Sequence, residues 1–145
     1  MSRKVYQRAF ASARLSGERL DPLDVTRALV IPPDRQHRAG EPRLSRTKSG
    51  GVRRYDDYNQ GMWSISSRRF VDSPRLEVHL DWLLKQFEER RSEIAELTRG
   101  DVIADFFCFS EGATDQPPSL PRAIRERSEA LGMEIIIDHY ESSDD

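Results

Sequence analysis

Asp101-Val-Ile-Ala-Asp-Phe-Phe-Cys-Phe-Ser110 decides the fold. Gly100 precedes this run and Gly112 follows it closely, and the run is strongly apolar, with Val102, Ile103, Phe106, Phe107 and Phe109 in it. A short apolar run of that composition, bounded by turn residues, is an interior strand. Downstream, Gly112 to Ser119 is a turn-rich loop holding Pro117-Pro118. Pro121 and Gly132 then bracket a helix with Ala123, Ile124, Ser128 and Leu131 facing in. Met133 to Tyr140 closes the pattern as a strand, with Ile135-Ile136-Ile137 β-branched throughout. Upstream, Ser73-Pro74 opens a helix whose Leu76, Leu80, Leu83, Leu84, Phe87, Ile94 and Leu97 share one stripe. Glu88 to Glu93 interrupts that stripe, so the segment reads as one long helix or as two broken near Ser92. Val78 and Trp82 lie off the stripe.

The first half is built from the same elements. Val5 to Ser16 alternates as a strand, with Ala9, Ala11, Ala13 and Leu15 on one side and Tyr6, Arg8, Phe10, Ser12 and Arg14 on the other. The small residues predict a helix packed closely across that face. Asp21-Pro22 has the chemistry of a helix start, and Pro32-Pro33 ends the helix that carries Val25, Ala28 and Leu29. Met62 to Ser66 is a strand with Trp63 and Ile65 inward. Between them, residues 32–61 hold few apolar or aromatic side chains and read as a basic hairpin or long loop excursion, with weak strands near Gln36–Gly40 and Val52–Tyr55. The whole, residues 1–145, is expected to be a single α+β domain: a two-layer sandwich of a mainly antiparallel sheet with helices packed on one face. Residues 141–145 are expected to form a frayed acidic tail.

The chain has 145 residues, 33% of them charged, yet its formal net charge is only -2. That small total conceals a dipole. Residues 1–70 carry 15 Lys and Arg against 7 Asp and Glu, a net of +8, and residues 71–145 carry 8 against 18, a net of -10. No apolar run approaches the ~18 residues of a membrane span. The opening Met-Ser-Arg-Lys-Val-Tyr-Gln-Arg has positive charge with no apolar stretch behind it, which predicts no secretory leader and a cytoplasmic protein. The single cysteine, Cys108, excludes an internal disulfide and a multi-thiolate metal site.

Catalytic chemistry finds little support. His37, His79 and His139 lie far apart in the chain, so no metal site is expected, and His79 reads as a solvated helix residue. Cys108 with His139 is the one thiol–imidazole pair available, but the flanking Phe106, Phe107 and Phe109 predict a buried, inert thiol. Asp105 and Asp138 lie in apolar strands and read as hydrogen-bonded carboxylates rather than a paired acid and base. There is no phosphate-binding glycine loop and no nucleophile elbow. No enzyme, cofactor or catalytic residue is expected.

Binding finds more. Arg53-Arg54-Tyr55-Asp56-Asp57-Tyr58 is rich in Arg and Tyr, the types enriched at interaction hot spots, in a segment with little core to serve. Trp82 is a second candidate contact, and the acids Glu88 and Glu89 would complement a basic partner. The alternative is a nucleic-acid or nucleotide-binding regulator using the basic 35–69 segment through Arg53, Arg54 and Trp63. The acidic second half argues against nucleic acid.

Leu20-Asp21-Pro22, Ile31-Pro32-Pro33, Arg38-Ala39-Gly40, Trp63-Ser64-Ile65-Ser66-Ser67, Leu76-Glu77-Val78-His79-Leu80 and Leu131 to Asp138 occur in an order that resembles the bacterial family called domain of unknown function 4279. The resemblance runs from about Val5 to Tyr140. It implies a small bacterial α+β protein of the cytoplasm without established enzymatic activity. It carries no catalytic residues to transfer: Asp21, Pro22, Gly40, Trp63 and Asp138 read as capping, turn and core positions. Proteins of this kind are similar in size and charge to immunity proteins, so the expected partner is a cognate protein toxin. A basic toxin, nuclease-like or nucleotide-modifying, would suit the acidic half. The basic, tyrosine-bearing stretch from Thr47 to Gln60 departs from the family pattern.

Overall fold

A computed structural model describes residues 5–142. Residues 1–4 of the opening basic stretch and residues 143–145 of the acidic tail lie outside the described residues. The elements are β1 (Tyr6–Gly17), α1 (Pro22–Leu29), β2 (Arg35–His37), β3 (Arg43–Arg46), β4 (Val52–Tyr55), β5 (Gly61–Ser66), α2 (Leu76–Glu88), α3 (Arg91–Leu97), β6 (Ile103–Gly112), α4 (Arg122–Ala130) and β7 (Glu134–Glu141). A short 3-10 turn, Ser67–Arg69, follows β5.

Five strands form one sheet in the order β2-β5-β1-β6-β7. All neighbours are antiparallel except β6 and β7, which α4 joins as a parallel crossover. The α+β architecture with helices on one face is therefore present. The apolar β6 is interior, as its composition predicts, while β1 takes the middle position. Pairing alternates faces. Ala11, Ala13 and Leu15 of β1, Trp63 and Ile65 of β5, and Ala104, Phe106 and Cys108 of β6 point under the helices and are buried. The predicted close packing over the alanines is real: α2 crosses β1 and β6, laying Leu76, Leu80, Leu83, Leu84 and Phe87 on them. The Phe87 ring is centred about 6 Å from both Trp63 and Phe106, tilted against each. The Trp63 indole N–H donates to Thr26 Oγ1 at 3.0 Å, so the one polar atom of that ring is matched inside the core.

The α2–α3 segment is two helices. Of the two readings left open, the broken one holds: the chain turns at Glu89 and Arg90, close before Ser92, and α3 with its buried Ile94 is thereby redirected to pack beside α1. Asp21 caps α1 by accepting from the Leu23 N–H at 3.1 Å, with Pro22 in the first turn. That helix ends on Val30 at φ 56°, a left-handed conformation that strains a β-branched residue. Gly61 starts β5 where a Cβ would fall 2.1 Å from the Leu20 carbonyl oxygen, so the close approach of these two strands of backbone requires glycine. Glu141 is the last residue of β7, and the Ser142 N–H donates to the Gly112 carbonyl at 2.7 Å, so the start of the expected frayed tail is held on the sheet.

The excursion at 32–61 resolves into two parts. Arg35–His37 joins the main sheet beside β5, so the strand expected near Gln36–Gly40 starts one residue earlier and ends already at His37. Arg43–Arg46, not expected as a strand, pairs with Val52–Tyr55 in a separate two-stranded hairpin. Its turn is closed by Thr47, whose N–H donates to the Gly51 carbonyl and whose hydroxyl accepts from the Gly51 N–H.

Candidate functional site

The β3–β4 hairpin is an ordered arm without a core. Every residue from Arg38 to Asp57 is exposed. What holds the arm is backbone pairing and surface stacking. The Arg43 guanidinium lies over the rings of Tyr55 and Tyr58, and Arg53 lies over Tyr55 at 5.1 Å. Arg54 pairs with Asp57 at 3.1 Å. At the base, Tyr58 stacks on His37 with centroids 3.4 Å apart, and Gly40 and Tyr58 are tied by a backbone hydrogen bond of 2.7 Å. Gly40 sits at φ +87°, which is the turn role its position suggested. Burial under the tyrosine ring lowers the His37 pKa from its ordinary value. Of the expected contact residues, Arg53, Arg54, Tyr55, Asp56, Asp57 and Tyr58 thus come together on this arm. Tyr58 serves as its hinge pin and Tyr55 as its exposed ring.

Trp82, Glu88 and Glu89 lie elsewhere, on α2 and its C-terminal end. Trp82 stacks on Phe70 at 4.7 Å and is half-buried against the core, while Phe70 itself stays 52% exposed. Glu88 is committed inside the molecule: Arg127 of α4 grips it through Nε and Nη2, and reaches Asp81 through Nη1 at 2.8 Å. Lys85 also contacts Asp81 at 3.0 Å. The hydrogen bonds from Arg127 hold both carboxylates below their ordinary pKa values. Glu89 is exposed at the C-terminal end of α2.

His79 corrects the sequence reading. It is buried, not solvated, because the helix turns it toward the start of the sheet. Ser67 Oγ lies 2.6 Å from His79 Nδ1 and also accepts from the Ala11 N–H, and His79 Nε2 lies 2.8 Å from the Ser73 carbonyl. A carbonyl only accepts, so Nε2 carries a proton, and in the neutral imidazole Nδ1 then accepts from the Ser67 hydroxyl. The pair occupies the place where β5 stops running beside β1 and Ala11 loses its strand partner. It is a buried relay that satisfies backbone.

The catalytic alternatives are not assembled. Cys108 is buried, and burial pushes its thiol up to about 12. The ring nitrogens of His139 are taken by Ser110 Oγ at 3.1 Å and the Thr114 carbonyl at 2.8 Å, not by Cys108. Asp105 pairs with Arg14 through two hydrogen bonds. Asp138 accepts from the Tyr140 hydroxyl at 2.8 Å. Asp105 is level with Glu134, so Asp138 lies four residues, about 13 Å, further along the strand. No group of three metal-ligating side chains occurs among the described residues. No helix among them is long and apolar enough to cross a membrane.

A second surface escaped the sequence reading. The side of the sheet away from the helices has no layer over it. Register places Arg8, Phe10, Ser12 and Arg14 of β1 there, beside Glu111, Phe109, Phe107 and Asp105 of β6, with Ile136, Asp138 and Tyr140 of β7 next to them. Phe10 stacks on Phe109 at 5.0 Å, and Phe109 meets Tyr140 at 5.6 Å. Arginines lie over the rings: Arg8 over Phe109, Arg14 over Phe107 and Arg68 over Phe10. The signal was present in the alternation of β1, which groups Arg8, Phe10 and Arg14. The expected single helical layer leaves that face open, but its arginines and rings meet only once β6 and β7 are paired beside β1.

Residues 5–142 match the family described as Domain of unknown function (DUF4279). The chain belongs to that family. No curated protein and no solved structure gives a significant match. Of the positions read as family-typical, Asp21 and Pro22 cap a helix, Gly40 makes a turn and Trp63 fills the core. Asp138 differs, lying on the open sheet face.

Proposed function

We propose that this member of the family is a non-enzymatic protein-binding domain, a bacterial immunity protein of the cytoplasm that neutralises a cognate toxin by occluding its active site. The observation that supports this reading is the arm. Twenty consecutive residues, Arg38 to Asp57, bury none of their side chains although Arg43 to Tyr55 among them form a hairpin, and ordered backbone without burial is stable at a marginal level only. Such an arm gains its burial from another molecule. Its side chains, Arg43, Arg53, Arg54 and Tyr55, are the types that carry binding energy in interfaces. The arm is cationic, so it suits an acidic rim on the partner, while a basic toxin would turn to Glu89, exposed at the end of α2. Glu88 contributes less to either contact, because Arg127 already neutralises it.

The nucleic-acid reading loses its stacking residue, since Trp63 is 0% exposed. The test is co-expression with the product of the gene immediately upstream. Wild-type protein should rescue growth, and Tyr55→Ala with Arg53→Ala should lose rescue while remaining folded by circular dichroism. Rescue by that double variant at wild-type strength would remove the arm from the interface. Salt-sensitive binding to single-stranded oligonucleotide, without rescue, would favour the regulator instead.

A further inference from the structure

The sequence dipole survives folding in a particular place. Strands β2, β5 and β1 come from the basic half of the chain and β6 and β7 from the acidic half, so the boundary between the halves runs down the middle of the sheet. On the open face that boundary separates β1 from β6. Four register pairs straddle it: Arg8 beside Glu111, Phe10 beside Phe109, Ser12 beside Phe107, and Arg14 beside Asp105. Cations and anions stand at the two ends, on opposite sides of the line, with aromatic rings between them.

We propose that two copies of this chain associate through the open sheet face, about a two-fold axis parallel to the strands and between β1 and β6. That axis lays β1 of one copy on β6 of the other. Arg8 then comes over the partner copy's Glu111, Arg14 over its Asp105, and the Phe10–Phe109 stacks meet at the centre. An in-plane axis perpendicular to the strands does the opposite, placing Arg8 over Arg14 and Glu111 over Asp105, so charge selects one of the two symmetric arrangements. The area is adequate. Four strands overlap, β5, β1, β6 and β7; at ~4.8 Å of width each and about 9 residues of mean length they give roughly 600 Å² a copy, and about 1,200 Å² in all reaches the lower edge of a specific interface. Sheets stacked in this way interdigitate side chains across ~10 Å, which suits phenylalanine. A nucleic acid fits the face poorly, because its phosphates would cross Asp105, Glu111 and Asp138. This inference is independent of the arm and of the toxin reading.

Sedimentation equilibrium over ~1–100 μM tests it, since that range brackets micromolar dimers. The wild type should be dimeric. Arg8→Glu sets acid over acid and Glu111→Arg sets base over base, and each should weaken self-association by at least about tenfold while keeping the native circular dichroism. An equimolar mixture of the two single variants should regain the dimer, because each copy then offers what the other lacks. Misfolding cannot produce that rescue. A wild type that stays monomeric throughout would overturn the proposal and leave the arginines over the phenylalanines as a sufficient cover. So would a dimer indifferent to both variants, a mixture that fails to restore it, or oligonucleotide capture by this face that Phe109→Ala abolishes.

Discussion

Arg127 ties α4 to α2 across 39 residues of chain, and its removal has a calculable cost. Three of its nitrogens meet Glu88 and Asp81 on α2, with distances of 2.6–3.2 Å. The three side chains are 26–38% exposed, so the pairs are neither buried nor free in water. A charge-assisted hydrogen bond to a buried partner contributes ~1.5–3 kcal/mol, and an exposed ion pair under ~1. Discounting for solvent, Arg127→Met, which keeps the apolar stem, should lower stability by about 1.5 kcal/mol at pH 7, or ~5 °C in Tm. The pH dependence has a definite sign. Glu88 and Asp81 have folded pKa values below their ordinary 4.5 and 3.8. The unfolded chain therefore binds protons first, and the stabilisation is complete above those ordinary values and lost as the pH falls through the lowered folded ones. Urea unfolding of wild type and variant at pH 7, 5, 4 and 3 measures this. The gap should be full at pH 7 and shrink steadily below about pH 4.5. A gap of the same size at pH 3 would refute an electrostatic origin, and a gap under ~0.5 kcal/mol at pH 7 would show the cluster to be solvated.

Three further outcomes are expected. His79→Ala should cost ~2–4 kcal/mol in denaturant unfolding, because it opens a cavity and leaves the Ser67 hydroxyl without its acceptor. Val30→Gly should instead stabilise by about 0.5–1 kcal/mol, since the left-handed strain is relieved and a side chain already 67% exposed gives up little burial. A larger loss than gain at Val30 would mean the site packs more tightly than its exposure indicates. Cys108, buried with its thiol raised to about 12, should resist an aromatic disulfide reagent at pH 8 and react fully once denatured. Rapid labelling of the native protein would contradict that environment.

Much of the fold was legible because its signals are local. Asp21-Pro22 predicts a helix start from two adjacent residues, and the capping bond is made within three. The stripe from Leu76 to Phe87 predicts a buried helix face from spacing alone, and all five of its residues are buried. The arm's Arg53 to Tyr58 were singled out by composition, and they do gather on one hairpin. The strand Arg43–Arg46 was missed, because alternation of Arg, Leu, Ser and Arg means little until Val52–Tyr55 is paired beside it.

Apart from that hairpin strand, what escaped is non-local. Glu88 looks like a free surface acid until Arg127, 39 residues away, is folded against it. His79 looks solvated until the end of β5 exposes the Ala11 N–H to Ser67. Phe107 and Phe109 sit in an apolar run, and only pairing with β1 and β7 brings Phe10, Arg14 and Tyr140 against their rings. Periodicity in a chain assigns residues to faces, because the backbone's own repeat decides which side chains point together. It does not say what lies across from a face, because that partner arrives from distant sequence through topology. The charge of the chain divides in the same manner. Its +8 and -10 halves are a property of the sequence, whereas their meeting along one line of an uncovered sheet follows from the strand order β2-β5-β1-β6-β7.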